Sequence, residues 1–211
     1  MKKLIVKKIE LSDIASDYAS LANELSRLEW NQIDQAPWST DFPYTPKAQF
    51  QVAYHNQGIV LHFDIDEEFV KAECIRPNAN IWEDSCVEFF VSFDDRKSYY
   101  NLEFNVLGTG LIGYGTSDKS SRKRLSSEEI LTIDTFSQVK TVNGRKNWKQ
   151  ILAVPFTVFG ISVSEIEGRT IAANFYKCGD GLPNPHFIAW NNIENPRPNF
   201  HLPEFFGELS F

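Results

Sequence analysis

The residues with the most chemistry to offer lie between Ile81 and Gly108, in the stretch IWEDSCVEFFVSFDDRKSYYNLEFNVLG. Two runs in it, Val87 to Phe93 and Tyr99 to Val106, alternate with period two, the pattern of strands buried on one face. Taken as a hairpin with its tip over Asp94 to Tyr99, they set Phe93 against Tyr100, Val91 against Leu102, Phe89 against Phe104 and Val87 against Val106. That surface is wholly apolar. The other surface sets Glu88 against Asn105, Phe90 against Glu103 and Ser92 against Asn101, with Tyr99 on the same side and Trp82 in the lead-in. Acids, amides and aromatics mixed in this way meet either bulk water or a polar ligand. Glu88 and Glu103 would be diagonal neighbours with Cβ atoms about 7 Å apart, which leaves a catalytic pair of carboxyls open.

The elements that must position this hairpin follow from the rest of the chain. MKKLIVKKIELSD has the lysines of an export signal, but its apolar run, Leu4 to Val6, is too short, so it reads as a first strand. Leu11, Ile14, Tyr18, Leu21, Leu25 and Leu28 recur at steps of three and four, placing them on one face of a helix that Ser12 or Asp13 can cap. Asp34 to Pro46 is a proline-rich loop carrying Trp38, Phe42 and Tyr44. Gln49 to Tyr54 and Ile59 to Asp66 pair across His55-Asn56-Gln57-Gly58, and Ile130 to Val142 pairs with Trp148 to Val154 across Asn143-Gly144. Ser117 to Glu129 is the most polar segment and reads as a mobile surface loop whose basic run is solvated. Thr170 to Lys177, His186 to Trp190 and Phe205 to Phe211 complete about a dozen strands. So many short strands, one helix and no helical crossovers predict an all-β antiparallel sandwich. Two stacked sheets of immunoglobulin or jelly-roll type are expected, with one N-terminal helix and short helical turns.

The chain is long enough, at 211 residues, for one large β domain over residues 1–211. Its formal net charge of -7, with a single basic run from Lys119 to Arg124, argues against a surface that tracks phosphates, so nucleic acid is not an expected partner. No stretch approaches the about 20 apolar residues of a membrane helix. The three cysteines, Cys74, Cys86 and Cys178, cannot all pair and form no CxxC, which favours a reducing compartment. The expected location is therefore cytoplasmic, or periplasmic or extracellular if an export segment has been removed.

The blocks DSCVEFF, YYNLEFNVLG, NFYKCGD, PHFIAW and PNFHLPEFFGELSF, in that order and spacing from Trp30 to Phe211, resemble carbohydrate-binding module family 9 and the wider DOMON-like sandwiches, in particular the single-domain proteins of Bacteroidetes. That resemblance implies a β-sandwich without catalytic residues that clamps the end of a glycan between two tryptophans, with an acid and amides on the hydroxyls. It implies that Trp82, with Glu88 six positions later, supplies the first tryptophan and the acid. Trp190 would be the second tryptophan, and Asn174 and Lys177 would be polar contacts. The partners implied are a mono- or oligosaccharide and the glycan-degrading enzymes of carbohydrate catabolism.

A pyranose has two CH-rich faces and a rim of hydroxyls, so it calls for aromatic platforms and planar acids or amides. Trp82, Trp190, Glu88, Glu103, Asn101 and Asn105 offer these groups, and Tyr99 faces the same side while Tyr100 faces the core. Each has a plainer reading. Trp82 and Trp190 could be packed indoles, Asn105 could be the structural partner of a buried Glu88, and Asn174 and Lys177 could stand on a solvent-facing edge. Two other functions stay open: a glycoside hydrolase using Glu88 and Glu103, and a structural sandwich without a sugar site. Asp64, Asp66, Glu67 and Glu68 could offer oxygens to calcium but lack EF-hand spacing. Cys178, His186 and His201 lack the close-spaced pairs of a zinc site. No cofactor is predicted, and haem ligation by methionine is disfavoured because the only methionine is Met1.

Overall fold

Fourteen strands, the longer ones with alternating apolar residues, are found among the described residues: β1 (Lys3–Ile5), β2 (Lys7–Lys8), β3 (Asn31–Gln32), β4 (Lys47–His55), β5 (Gly58–Glu67), β6 (Cys86–Ser92), β7 (Tyr99–Asn105), β8 (Gly110–Gly115), β9 (Lys123–Arg124), β10 (Asp134–Val142), β11 (Arg145–Pro155), β12 (Thr170–Cys178), β13 (Phe187–Ala189) and β14 (Gly207–Ser210). Two short helices, α1 (Tyr18–Leu25) and α2 (Ser127–Ile130), accompany them. The structure is a computed structural model that describes residues 1–15 and 17–211, with Lys119 described in its backbone alone. The first sheet runs β1-β14-β12-β6-β7-β8-β9, with β13 also on β12, and the second runs β10-β11-β5-β4-β2, with β3 also on β4. Pairing is antiparallel except where the N-terminal strands join, β1 to β14 and β2 to β4. No helix among the described residues is long and apolar enough to cross a membrane.

The sandwich core has the composition that alternation predicts. Val87, Phe89, Val91, Leu102 and Phe104 of the first sheet meet Phe50, Val52, Leu61 and Phe63 of the second. At its centre Phe50 stacks on Phe175 with ring centroids 3.6 Å apart. The turn between β10 and β11 has both Asn143 (φ 50) and Gly144 (φ 79) in the left-handed region, as a tight two-residue hairpin requires.

The helix is shorter than its periodicity predicts. Asp17, in extended backbone, accepts from the Ser20 amide at 2.9 Å and starts α1 there, so neither Ser12 nor Asp13 is its cap. Leu21 and Leu25 then cover the outer face of the second sheet at Ala53, Val60, Ile151 and Ala153, together with Ile9 and Ile14 from the preceding segment.

The organising hairpin also differs in register. Glu88 pairs with Glu103, Cys86 with Asn105 and Phe90 with Asn101, two residues from the expected pairing. The cause lies in the tip, where side chains fold the chain back early. Asp94 accepts from the amide and hydroxyl of Ser98, Ser92 Oγ accepts from the Arg96 amide, and Asp95 and Arg96 are left-handed. A shift of two keeps every side chain on its expected face. That outer face is not bare to water: Trp38, Ile193, Phe200 and Phe206, from the segments 34–46 and 191–206, pack over Phe90, Tyr99 and Tyr176 as a second apolar layer.

Candidate functional site

The second layer leaves part of the outer face uncovered, and there a cleft of about 540 Å³ opens. Its floor is the sheet itself: Glu88 from β6, Asn101 and Glu103 from β7, Gly113 from β8 and Cys178 at the end of β12. Gly113 is needed in that floor, because a Cβ there would lie 2.5 Å from Asn101 Oδ1. Trp82 stands on one wall, in the helical turn Ile81–Glu83, which hangs from the buried Ile81 and from Asp84. The Asp84 carboxylate accepts from the amides of Glu73 and Cys74 and from Asn105 Nδ2, and this web leaves the Trp82 ring half-buried beside the cleft. Arg122, Lys123 and Arg124 form another wall, while Phe187 and Phe200 supply aromatic surface opposite the polar floor.

The floor is a chain of buried polar groups. Asn101 Nδ2 donates to Glu103 Oε1 at 2.8 Å, the Arg122 guanidinium donates to Asn101 Oδ1, and the Cys178 thiol donates to Glu88 Oε1 at 3.0 Å. Glu103 Oε2 is buried with no hydrogen-bond partner in the protein. A buried acceptor of this kind is costly unless something arrives to satisfy it. Burial pushes the Glu103 carboxyl up to about 7, against the opposing pull of Asn101 and the arginines, and it pushes Glu88 well above the usual carboxylate range, helped by Cys178 and Glu103.

Of the nine residues expected at a site, Trp82, Glu88, Asn101 and Glu103 come together in this cleft. Tyr99 lies on the same face but beneath it, fully buried under the Arg122 guanidinium, which is 4.1 Å from its ring centroid, with its hydroxyl 3.0 Å from His201 Nδ1. Burial drives that phenol up to about 12. Asn105 anchors the chain. Its Nδ2 donates to the Cys74 carbonyl and to Asp84, and its Oδ1 accepts from the amides of Leu107 and Thr109. Asn174 is likewise spent internally, donating to the Asn191 carbonyl and accepting from its amide.

Trp190 and Lys177 face the other way. β13 pairs with β12 so that Ile188 lies opposite Lys177 and Phe187 opposite Cys178. The alternation therefore turns Ile188 and Trp190 inward and Phe187 toward the cleft. The Trp190 indole packs edge-on against Phe50 and Phe175, each with ring centroids 5.8 Å apart, inside the sandwich. Trp82 and Trp190 do not share a cleft, so the expected clamp is not built from this pair. Lys177 is wholly buried between the sheets, 3.0 Å from Glu67 Oε2 and donating to the Cys178 carbonyl at 2.6 Å.

The basic run keeps Lys123 and Arg124 exposed to solvent, as expected, but it is not a free loop. Lys123 and Arg124 pair with Tyr114 and Gly113 as β9, Leu125 donates to the Ile112 carbonyl, and Arg122 lies over Tyr99. These contacts lock the run onto the edge of the sheet and carry it to the cleft. The only signal for this in the sequence is the charge run itself. Of the acids considered for calcium, Asp66 pairs with Arg145, Asp64 lies 3.5 Å from Lys149, and Glu67 turns inward, so these three are held by separate partners.

Fold and site together define a two-sheet β-sandwich with a cleft on the outer face of one sheet, floored by acids and amides and walled by aromatic and basic side chains. The family model described as carbohydrate-binding family 9 matches residues 19–211, and the chain belongs to that family. A Bacteroides uniformis protein, provisionally described as carbohydrate-binding, is 36% identical over 100% of this chain and 99% of its own, with a TM-score of 0.90. A carbohydrate-binding module family 9 structure from Caldicellulosiruptor kristjanssonii in complex with glucose shares the fold at 14% identity and a TM-score of 0.62, over 99% of this chain and 95% of its own. Another from that organism, in complex with cellotriose, has 13% identity and the same TM-score, over 99% and 93% of the two chains. No curated protein matches the chain.

Proposed function

We propose that this protein is a non-catalytic carbohydrate-binding protein that holds a sugar, or the end of a glycan, in the cleft above β6, β7 and β8. The observation that carries the reading is the convergence of a half-buried Trp82 ring with Glu103 Oε2, a buried acceptor that the protein leaves without a hydrogen bond. A pyranose supplies what both lack: a CH-rich face for the indole and hydroxyl donors for the carboxyl. Asn101, and Asp180 just after β12, which also lines the cleft, add rim contacts, and Phe187 or Phe200, rather than Trp190, provides a second aromatic surface. The family placement and the sugars bound in the two Caldicellulosiruptor structures support sugar as the ligand class. In this reading the protein acts beside enzymes of polysaccharide breakdown.

The position of Glu88 and Glu103 argues for binding over hydrolysis. They are register partners on adjacent strands of one floor, whereas a glycosidase places its two carboxyls on either side of the scissile bond. Calorimetric titration of mono- and oligosaccharides, starting with glucose and cellotriose, tests the reading. One saturable site per chain is expected, weakened in Trp82→Ala, with no turnover of any bound glycan. Absence of heat with every sugar, or turnover lost in both Glu88→Gln and Glu103→Gln, would replace it.

A further inference from the structure

One thiol, Cys178, lies in the floor of the cleft, and a second, Cys86, is buried beside it; sugar recognition has no use for either. Cys86 and Cys178 are register partners on β6 and β12, and Glu88 is two residues beyond Cys86 on the same face. All three are buried, and one ligand atom from each lies within 4.8 Å of the other two. From this arrangement we propose that Cys86, Cys178 and Glu88 bind a single zinc-type divalent ion beneath the cleft.

The three donor atoms are near enough to one another to converge on such an ion. Zinc bonds of about 2.3 Å to sulfur and about 2.0–2.2 Å to oxygen give a tetrahedron with edges of about 3.5–3.8 Å. Three donors within 4.8 Å of one another form one face of it after small side-chain rotations. Cys178 Sγ and Glu88 Oε1, now 3.0 Å apart around the thiol proton, move slightly apart as that proton gives way to the metal. Two soft thiolates with one carboxylate select zinc over calcium or magnesium, which take oxygen donors. The donors stand on adjacent hydrogen-bonded strands, so the frame needs no folding of loops to form. Glu88 and Cys178 both line the cleft, which leaves the fourth coordination position facing it, open to water or to an oxygen of a bound ligand. Cys86 and Cys178 are far apart in sequence, so no local spacing announces the site.

The test is a titration of the reduced full-length chain with cobalt(II) as the probe, in the absence of any sugar. The expected result is one equivalent bound, with an intense thiolate-to-cobalt charge-transfer band and the visible bands of tetrahedral cobalt, all bleached by one equivalent of zinc. Cys74→Ser, which alters the half-buried cysteine outside the cluster, keeps the spectrum. The Cys86→Ser, Cys178→Ser double variant loses it, and Glu88→Gln weakens binding by about tenfold or more. Absence of the thiolate band in the wild-type protein at millimolar cobalt overturns the proposal, as does a band that survives in the double variant. Should the double variant not fold, zinc protection of two thiols, but not Cys74, from a thiol reagent in the wild-type chain supports the site, and equal labelling with and without zinc overturns it. Because no sugar is present, failure here leaves the carbohydrate reading untouched.

Discussion

Replacing Lys177 with methionine should unfold the protein more readily without touching the cleft. Lys177 and Glu67 are each fully buried and come from different sheets, with Nζ and Oε2 3.0 Å apart. The ammonium donates to the Cys178 carbonyl at 2.6 Å and to His186 Nε2 at 2.8 Å, while Trp148 Nε1 donates to Glu67 Oε1 at 2.7 Å. Burial, and then the neighbouring ammonium, hold the His186 imidazole down to about 3, so it stays neutral and accepts. Lys177→Met keeps the apolar stem but leaves the Glu67 carboxylate buried without its cation. Removing one partner of a buried pair costs about 3–5 kcal/mol, which for a domain of this size is about 6–20 °C in Tm. Adding Glu67→Gln removes the orphaned charge, and the double variant should be less destabilised than the two single losses summed. Thermal melts followed by circular dichroism read the first quantity, and sugar titration of the folded variant reads the second, which should be unchanged. An unaltered Tm with weakened sugar binding would refute the placement of Lys177 as an inter-sheet tie and restore it as a ligand contact.

Trp190→Ala should behave like a core truncation, losing about 3–5 kcal/mol in denaturant unfolding while the folded fraction binds sugar with undiminished affinity. His62 is buried beside Trp30 with Nδ1 2.9 Å from Gln51 Oε1, and burial, then the Lys149 charge, lowers its pKa to about 4 against a weaker opposing effect of Asp64. The unfolded chain therefore takes up this proton near pH 6.5 and the folded chain only near 4. The stabilisation is complete above pH 6.5 and is lost as pH falls toward 4, by about 3 kcal/mol. Urea unfolding across that range should show this slope reduced in His62→Gln, and an identical slope in both proteins would refute the assignment.

The faces of the strands were legible in the sequence because period-two alternation fixes them locally. Phe89 and Phe104 fall in the core and Glu88 and Glu103 on the outer face as that alternation requires, and a register error of two residues left those faces intact. The error itself came from Ser92, Asp94 and Ser98, whose side chains shape the tip in a way that hydrophobic pattern does not encode. The directions of Trp190 and Lys177 are not legible locally, for one reason. Their direction depends on pairing with partners remote in the chain, Phe175 for the backbone of Trp190 and Glu67 for the charge of Lys177. Once β12 and β13 are aligned, parity alone turns Phe187 into the cleft and Trp190 out of it. The basic wall and the meeting of Cys86 with Cys178 likewise arise only when strands distant in sequence become neighbours.

The most direct test of the central claim is a crystal of this protein soaked with an oligosaccharide that binds it in solution. A sugar ring lying against the Trp82 indole, with a hydroxyl within hydrogen-bond distance of Glu103 Oε2, is the predicted result. A sugar seated elsewhere on the surface, with the cleft above Glu88 and Glu103 holding only solvent, would contradict it.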